Sequence, residues 1–298
     1  RHTLARIKAA HEIGINFDER NKFDVYSDMK NRGEEVFPST HSAVGLWDHP
    51  SANQNNKGEF GFLPLSGISQ VTTVYCNESG VYMIYKSDRY GFNNYDPVYE
   101  NKGRRILLVG DSFTQGACVK PEDDIAGKLR QRGYNAINLG IGHNGPLMEL
   151  ATLKEYGVHL KPSVVLWMYH KSDWTNLLEE RRSQLLLQYL NEDFTQNLLT
   201  RQKEIDDFWK QAIKKKEKEM TIEGEKAGSD HSPLGFKAFF TLFRLRVLTG
   251  LDKRSFGMEK KAKLLFHSIL ETAQEITAGF GGKLYFVYLP DHSSFGKG

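Results

Sequence analysis

The chain has 298 residues, enough to bury the core of one large or two ordinary domains. Lysine and arginine nearly balance aspartate and glutamate, leaving a formal charge of only +3, so no basic footprint points to nucleic acid or an anionic membrane surface. A small-molecule or carbohydrate partner is therefore expected, and no nucleic acid.

No uninterrupted apolar stretch approaches the roughly 18 to 20 residues that cross a bilayer, and no secretory signal stands at the front. The chain opens at Arg1 without a Met, so membrane anchoring through a segment outside it stays open as an expectation. Cys76 and Cys118 are too few for a disulfide scaffold and lack metal-ligand spacing. No metal and no cofactor are expected, and the two cysteines are either buried thiols or a single bridge.

Residues 1–100 are rich in Gly, Asn, Ser and aromatic residues and read as an N-terminal accessory region. A short helix is expected around LARIKAAHEIG. The alternating runs QVTTVYC and GVYMIYKS, separated by NESG, read as a β-hairpin. From residue 101 the pattern changes. RRILLVGD reads as a buried strand. PEDDIAGKLRQRG reads as a helix, with Pro121 at its start, acids in its first turn and Gly133 past its end. NAINLGI is a second strand, PLMELATLKEYG a second helix opened by Pro146 and closed by Gly157, and SVVLWMY a third strand. Strands alternating with helices of this length imply a parallel sheet, so the fold class is α/β, with its first part over 101–175.

After residue 173 the sequence stays helical for roughly a hundred residues, too long for a simple crossover, and reads as a helical insertion over 176–280. Within it Ile205, Phe208, Trp209, Ala212 and Ile213 share one buried helix face, while IKKKEKE is a solvated face. FKAFFTLFRLRVL is apolar around most of its circumference. It reads as a core helix, or as one touching a membrane or acyl chain with Arg244 and Arg246 snorkelling. In 281–298, GKLYFVYLP restores a strand of the core.

The serine in ILLVGDSFTQGACV follows the most strand-like segment of the chain. At the carboxyl end of a parallel strand, where ligands gather, Ser112 would present a hydroxyl and an anion-binding backbone amide from one residue. That pairing suits a nucleophile whose substrate develops an oxyanion. The plain alternative is that Ser112 and Asp111 only cap a turn. Three other patterns fail on this stretch. A Walker loop lacks its Gly-Lys-Ser/Thr, a nucleophile elbow would need Gly where Thr114 stands, and a dinucleotide fingerprint would need Gly in place of Ser112.

Gly110, Asp111, Ser112, Thr114 and Gly116 resemble the first block of the SGNH, or GDSL-type, hydrolases. The resemblance implies a flavodoxin-like three-layer sheet with Ser112 as nucleophile after its first strand and Asp111 beside it. By similarity the family's second block falls in NLGIGHNGP, where Gly142 would donate its amide to the oxyanion hole, with Gly140 and Asn144 as near alternatives. The third block, normally Gly-x-Asn-Asp-like, corresponds to MYHKSDW. Lys171 and Ser172 replace Gly and Asn there, and Asp173 is retained. Ser172 can still donate a hydrogen bond from a shorter side chain, and Lys171 either compensates electrostatically or is an exposed charge. YCNESGVYMIYKSDRYGFNN and NLGIGHNGPLMELA are also similar to a group of bacterial SGNH proteins that are often membrane-anchored or exported.

Gly140, Gly142 and Gly145 also stand in G-x-G-x-x-G spacing between a strand and a helix, which makes nucleotide binding a rival reading. Against it, Pro146 at the first helical position leaves Gly145 outside the helix.

The family's C-terminal Asp-x-x-His, whose His activates the serine and whose Asp orients the His, does not occur after Ser112. Asp291 and His292 follow the last strand but are adjacent, so His292 is the candidate base within the chain. His143 and His170, at other strand ends, are weaker candidates. The resemblance implies a fifth strand and a base beyond Gly298, without which an apolar sheet edge is left open.

The function expected is a serine-dependent acyl-ester enzyme, an esterase or deacetylase or else an O-acetyltransferase, acting on O-acyl groups of a small molecule or polysaccharide. The rival is a catalytically degenerate binding or assembly module on the same fold. Cys76 lies in the hairpin and Cys118 just past the serine turn, so a bridge between them would fasten the accessory region beside the site. That bridge is expected, and with it an extracytoplasmic or periplasmic location.

Overall fold

The structure is a computed structural model that describes residues 2–43, 61–227 and 255–290. β4 (Arg105–Gly110) is apolar on both faces, the signature of an inner parallel strand covered on both sides. It is flanked by β5 (Asn135–Asn138) and β6 (Val164–His170), and β7 (Lys283–Leu289) adds to β6. The sheet is parallel throughout, in the order β5-β4-β6-β7. The expected α/β class with a parallel sheet is what the chain adopts.

Side-chain alternation along β4 and β6 divides the core between the two faces. Leu107, Val109, Val165 and Trp167 enter the large cluster. Leu108, with Ile106 and Leu166 beside it, packs on Ala126 and Leu129 of α4 (Ile125–Gln131).

The large cluster crosses the boundaries expected at residues 100 and 175. Val25, Tyr26 and Phe62 from the N-terminal region and Ile205, Trp209 and Ile269 from the C-terminal helices are buried together with Leu107 and Trp167. The N-terminal region holds α1 (His2–Glu12) and α2 (Lys22–Asn31), the latter closed at its start by an Asn21–Asp24 capping box. It also holds a three-stranded sheet in the order β1 (Val36–Pro38), β2 (Thr72–Val74), β3 (Ile84–Lys86). β2 and β3 are antiparallel, as the hairpin pattern requires.

Two helix limits differ from the sequence reading. The first crossover helix starts at Ile125 rather than Pro121, because the Asp124 carboxylate accepts the Gly127 N–H at 2.6 Å and caps it there. The second, α5 (Pro146–Thr152), runs through Gly157 and ends at Lys161, whose φ is +45°. Gly157 serves close contact rather than termination, since a methyl on it would come 2.9 Å from Leu107 Cδ2.

α6 (Lys171–Glu180) follows β6 directly. After short turns between residues 184 and 200 come α7 (Gln202–Ala227) and α8 (Ser255–Gly279). The face expected of α7 is the one it buries: Ile205, Trp209 and Ile213 lie in the core, and Trp209 Nε1 donates to the Ser66 carbonyl at 2.7 Å. FKAFFTLFRLRVL lies outside the described residues. Among the described residues no helix is long and apolar enough to cross a membrane.

Candidate active site

In the order β5-β4-β6-β7 the connections leave β4 in opposite directions, so the crevice between the ends of β4 and β6 is the switch point where open α/β sheets bind ligands. The register pairs Gly110 with Met168, which brings Asp111 and Ser112 out beside Tyr169 and His170. Gly110 makes the turn possible: a methyl there would meet Thr114 Oγ1 at 2.1 Å and the Met168 carbonyl at 2.8 Å.

α3 (Ser112–Gln115) is a single helical turn capped by Asp111, whose Oδ1 accepts the Phe113 N–H at 2.9 Å, and Gly116 ends it at φ +83°. Ser112 is half-buried at its first position, and among the described residues its hydroxyl has no hydrogen-bond partner.

The other carboxylate oxygen of Asp111 faces the start of α6. Ser172 Oγ lies 3.2 Å from Asp111 Oδ2 and 2.6 Å from His170 Nδ1, and the His170 ring lies 4.4 Å from that of Phe113. Burial raises the Asp111 carboxyl above the usual carboxylate range. His170 Nδ1 also accepts the Ser172 backbone N–H at 3.3 Å, capping α6, so this nitrogen is an acceptor and the Ser172 hydroxyl lies between it and Asp111 Oδ2. Ser172 is thus beside the serine turn, but its hydroxyl is engaged between two side chains. Lys171 is exposed.

Gly142 stands against the same turn. A methyl on it would come 3.1 Å from His41 Nδ1, 3.3 Å from Gln115 Oε1 and 3.7 Å from Ser112 Cβ. Its N–H donates to Gln115 Oε1 at 2.7 Å, an oxygen that also accepts the Tyr75 hydroxyl at 2.7 Å. The amide expected to face an oxyanion therefore points at Gln115.

Asn144 is further from the expected role. It is fully buried, with neither end of its amide hydrogen-bonded, because the loop is drawn under α6. Asn176 Nδ2 donates to the Asn144 carbonyl at 3.0 Å, and a methyl on Gly145 would come 2.7 Å from Asn176 Cβ.

Under the site lie three buried carboxyl groups, Asp173, Glu180 and Glu149. Asp173 Oδ2 accepts the His170 N–H at 2.8 Å, and burial, then Asp111, push its pKa up to about 8. Glu180 accepts the N–H groups of Gly145 and Leu147, and burial pushes it up to about 8 as well. Burial also raises Glu149, both of whose oxygens lack hydrogen-bond partners. Among the described residues no group of three His, Cys, Asp or Glu is placed to hold a metal ion.

The three glycines of the dinucleotide-like spacing all have contact roles. Gly140 lies against α3, where a methyl would come 2.5 Å from the Gln115 nitrogen. Gly142 faces His41, and Gly145 caps α5 against α6. Close contact within the protein accounts for each, without a pyrophosphate.

Cys76 and Cys118 are disulfide-bonded, with Cα atoms 5.2 Å apart. Asp291 and His292 lie outside the described residues. Besides His170, two histidines lie at the site. His143 directly follows Gly142 in the left-handed region at φ +66°, and the His41 ring meets it edge-on at 5.0 Å. His41 carries no sequence signal, for it sits in the loop after β1 with no motif around it. Comparison with known proteins finds no matching family model, no matching curated protein and no matching solved structure.

Proposed function

We propose that this protein is a serine-dependent acyl-ester enzyme, a hydrolase or O-acyltransferase of the SGNH type, acting on O-acyl groups of a carbohydrate. The observation that carries the reading is the position of Ser112. Its hydroxyl, without a hydrogen-bond partner among the described residues, stands at the first turn of a helix, at the switch point of a parallel sheet, with Gly142 lying between it and His41. The strand order supports the flavodoxin-like part of the reading, since it matches the first four strands of the 2-1-3-4-5 sheet.

In the reaction Ser112 Oγ attacks the ester carbonyl, its proton passes to a base, and the alcohol leaves with that proton. Water or a sugar hydroxyl then attacks the acyl-enzyme. The Ser112 N–H, at the first position of α3, is not used within the helix and is the oxyanion donor at hand. The Gly142 N–H joins it only by leaving Gln115 Oε1. One missing donor costs about 100- to 1000-fold in turnover, so a slow enzyme is expected. The disulfide fits an extracytoplasmic location, where such bonds persist.

The second reading, a degenerate binding or assembly module, is favoured by the engaged Ser172 hydroxyl and the buried Asn144. A fluorophosphonate probe separates the two. Labelling that vanishes in Ser112→Ala supports the enzyme, and absence of labelling in the wild-type protein supports the module.

A further inference from the structure

A serine hydroxyl needs a base, because it is almost entirely protonated near neutral pH. The base has to reach the open side of Ser112, and the groups around that side are few. The Asp111 carboxylate is turned away, with its oxygens on the Phe113 N–H and on Ser172. His170 Nδ1 is taken up by Ser172, and the residue is only 8% exposed.

Among the described residues the imidazoles of His143 and His41 remain, and His41 is the one whose ring nitrogen stands against Gly142 and the serine turn. His41 Nδ1 and Ser112 Cβ both lie within 4 Å of the point where Gly142 would carry a side chain, so the imidazole and the serine share a gap that only glycine leaves open. The ring is held from two directions. Next to it, the Ser42 N–H donates to the Gly142 carbonyl at 2.9 Å, fixing the loop after β1 on the loop after β5. His143 meets the ring edge-on. Lys22 flanks the same recess, its Nζ donating to Ser39 Oγ at 2.7 Å. His41 keeps an exposed side, and desolvation, then Lys22 and His143, lower its pKa, which leaves the ring neutral at pH 7 and makes it a weaker base than a free imidazole.

We infer that His41, contributed by the N-terminal region, is the general base for Ser112. This rests on the serine-enzyme reading above. Nδ1 takes the Ser112 proton as Oγ bonds to the acyl carbon, then gives it to the departing alcohol oxygen as the C–O bond breaks. In the second half-reaction it takes a proton from water or a sugar hydroxyl and returns it to Ser112 Oγ. The base thus precedes the nucleophile in the chain, where the Asp-x-x-His pattern would put it after.

The test uses the full chain and measures the rate of fluorophosphonate labelling at Ser112, read by intact mass, together with hydrolysis of p-nitrophenyl acetate. His41→Ala is expected to slow both at least 100-fold, with an unchanged thermal unfolding midpoint, and added imidazole is expected to restore part of the rate. A merely structural role would not yield that rescue. His41→Gln, which preserves the bulk of the side chain, is expected to be as slow as His41→Ala. Wild-type labelling rates in both variants would overturn the assignment while leaving the serine reading intact. So would a comparable loss confined to His143→Ala, His170→Ala or His292→Ala. A wild-type protein that never labels at Ser112 would overturn the serine reading and the assignment together.

Discussion

The Gly142 N–H donates to Gln115 Oε1 across 2.7 Å, tying the loop after β5 to the helical turn that carries Ser112. The same oxygen accepts the Tyr75 hydroxyl, and Gln115 is 1% exposed. Gln115→Ala would leave both donors buried without an acceptor, at about 1–3 kcal/mol for each unsatisfied group. The expected loss is about 2–6 kcal/mol in urea unfolding. A loss below about 1 kcal/mol would mean that water enters and replaces the amide.

Gly140 and Gly142 are two residues apart but should respond differently to alanine. At Gly140 the methyl would meet backbone, 2.5 Å from the Gln115 nitrogen, which cannot move without shifting α3. Gly140→Ala should therefore cost about 1–3 kcal/mol or more in stability. At Gly142 the nearest atoms are His41 Nδ1 at 3.1 Å and Gln115 Oε1 at 3.3 Å, a milder clash that a shift of a few tenths of an ångström relieves. Gly142→Ala should cost less stability than Gly140→Ala yet label more slowly at Ser112, because the methyl fills the gap that His41 shares with the serine. Equal stability losses in the two variants would contradict this difference.

The four core strands were legible because β4, β6 and the flanking segments are apolar runs punctuated by Gly and Pro, which parallel strands and crossover helices require. Ser112 was legible for the same reason, since its place at a strand end follows from the pattern alone. The rest of the site was not. His41 reaches Gly142 through the loop after β1, and nothing in the local sequence encodes a contact between loops 100 residues apart. Nor does an amide in a glycine-rich loop announce which acceptor it will find. Gly142 lies where the spacing put it, but Gln115, a residue of the serine turn itself, holds its N–H. Asp124 took the cap from Pro121 because a carboxylate aimed at a free N–H outweighs a proline three residues earlier.

The Cys76–Cys118 bridge closes a loop across 42 residues and holds the β-hairpin against the serine turn. Closing a loop of this length restricts the unfolded chain, and its loss typically costs about 2–4 kcal/mol. Cys76→Ser paired with Cys118→Ser should lower the urea midpoint accordingly. Tyr75, beside Cys76, holds Gln115, so the double variant should also label more slowly at Ser112. Thiol titration of the unreduced, denatured wild-type protein should find no free thiol, and two freely alkylatable thiols would remove the basis of both expectations.

Stability should fall as pH rises from about 5 to about 8. Asp173 and Glu180 are pushed up to about 8, and Asp88 to about 6, in each case chiefly by burial. An acid whose pKa is higher in the folded protein binds its proton more tightly there than in the unfolded chain, where carboxyls titrate near 4. Between those two values the folded state carries more protons, so the slope of stability against pH is negative, and the loss is complete once pH passes the folded pKa. His41 acts in the opposite sense below about 6.5, and Lys22, lowered to about 8 by burial, does so only above that value. Within the window the carboxyl groups dominate by number. Urea midpoints at pH 5, 6.5 and 8 should decrease in that order, and Asp173→Asn combined with Glu180→Gln should flatten the decline. A midpoint that rises with pH across this range would show that the carboxyls beneath Ser112 are ionised in the folded protein.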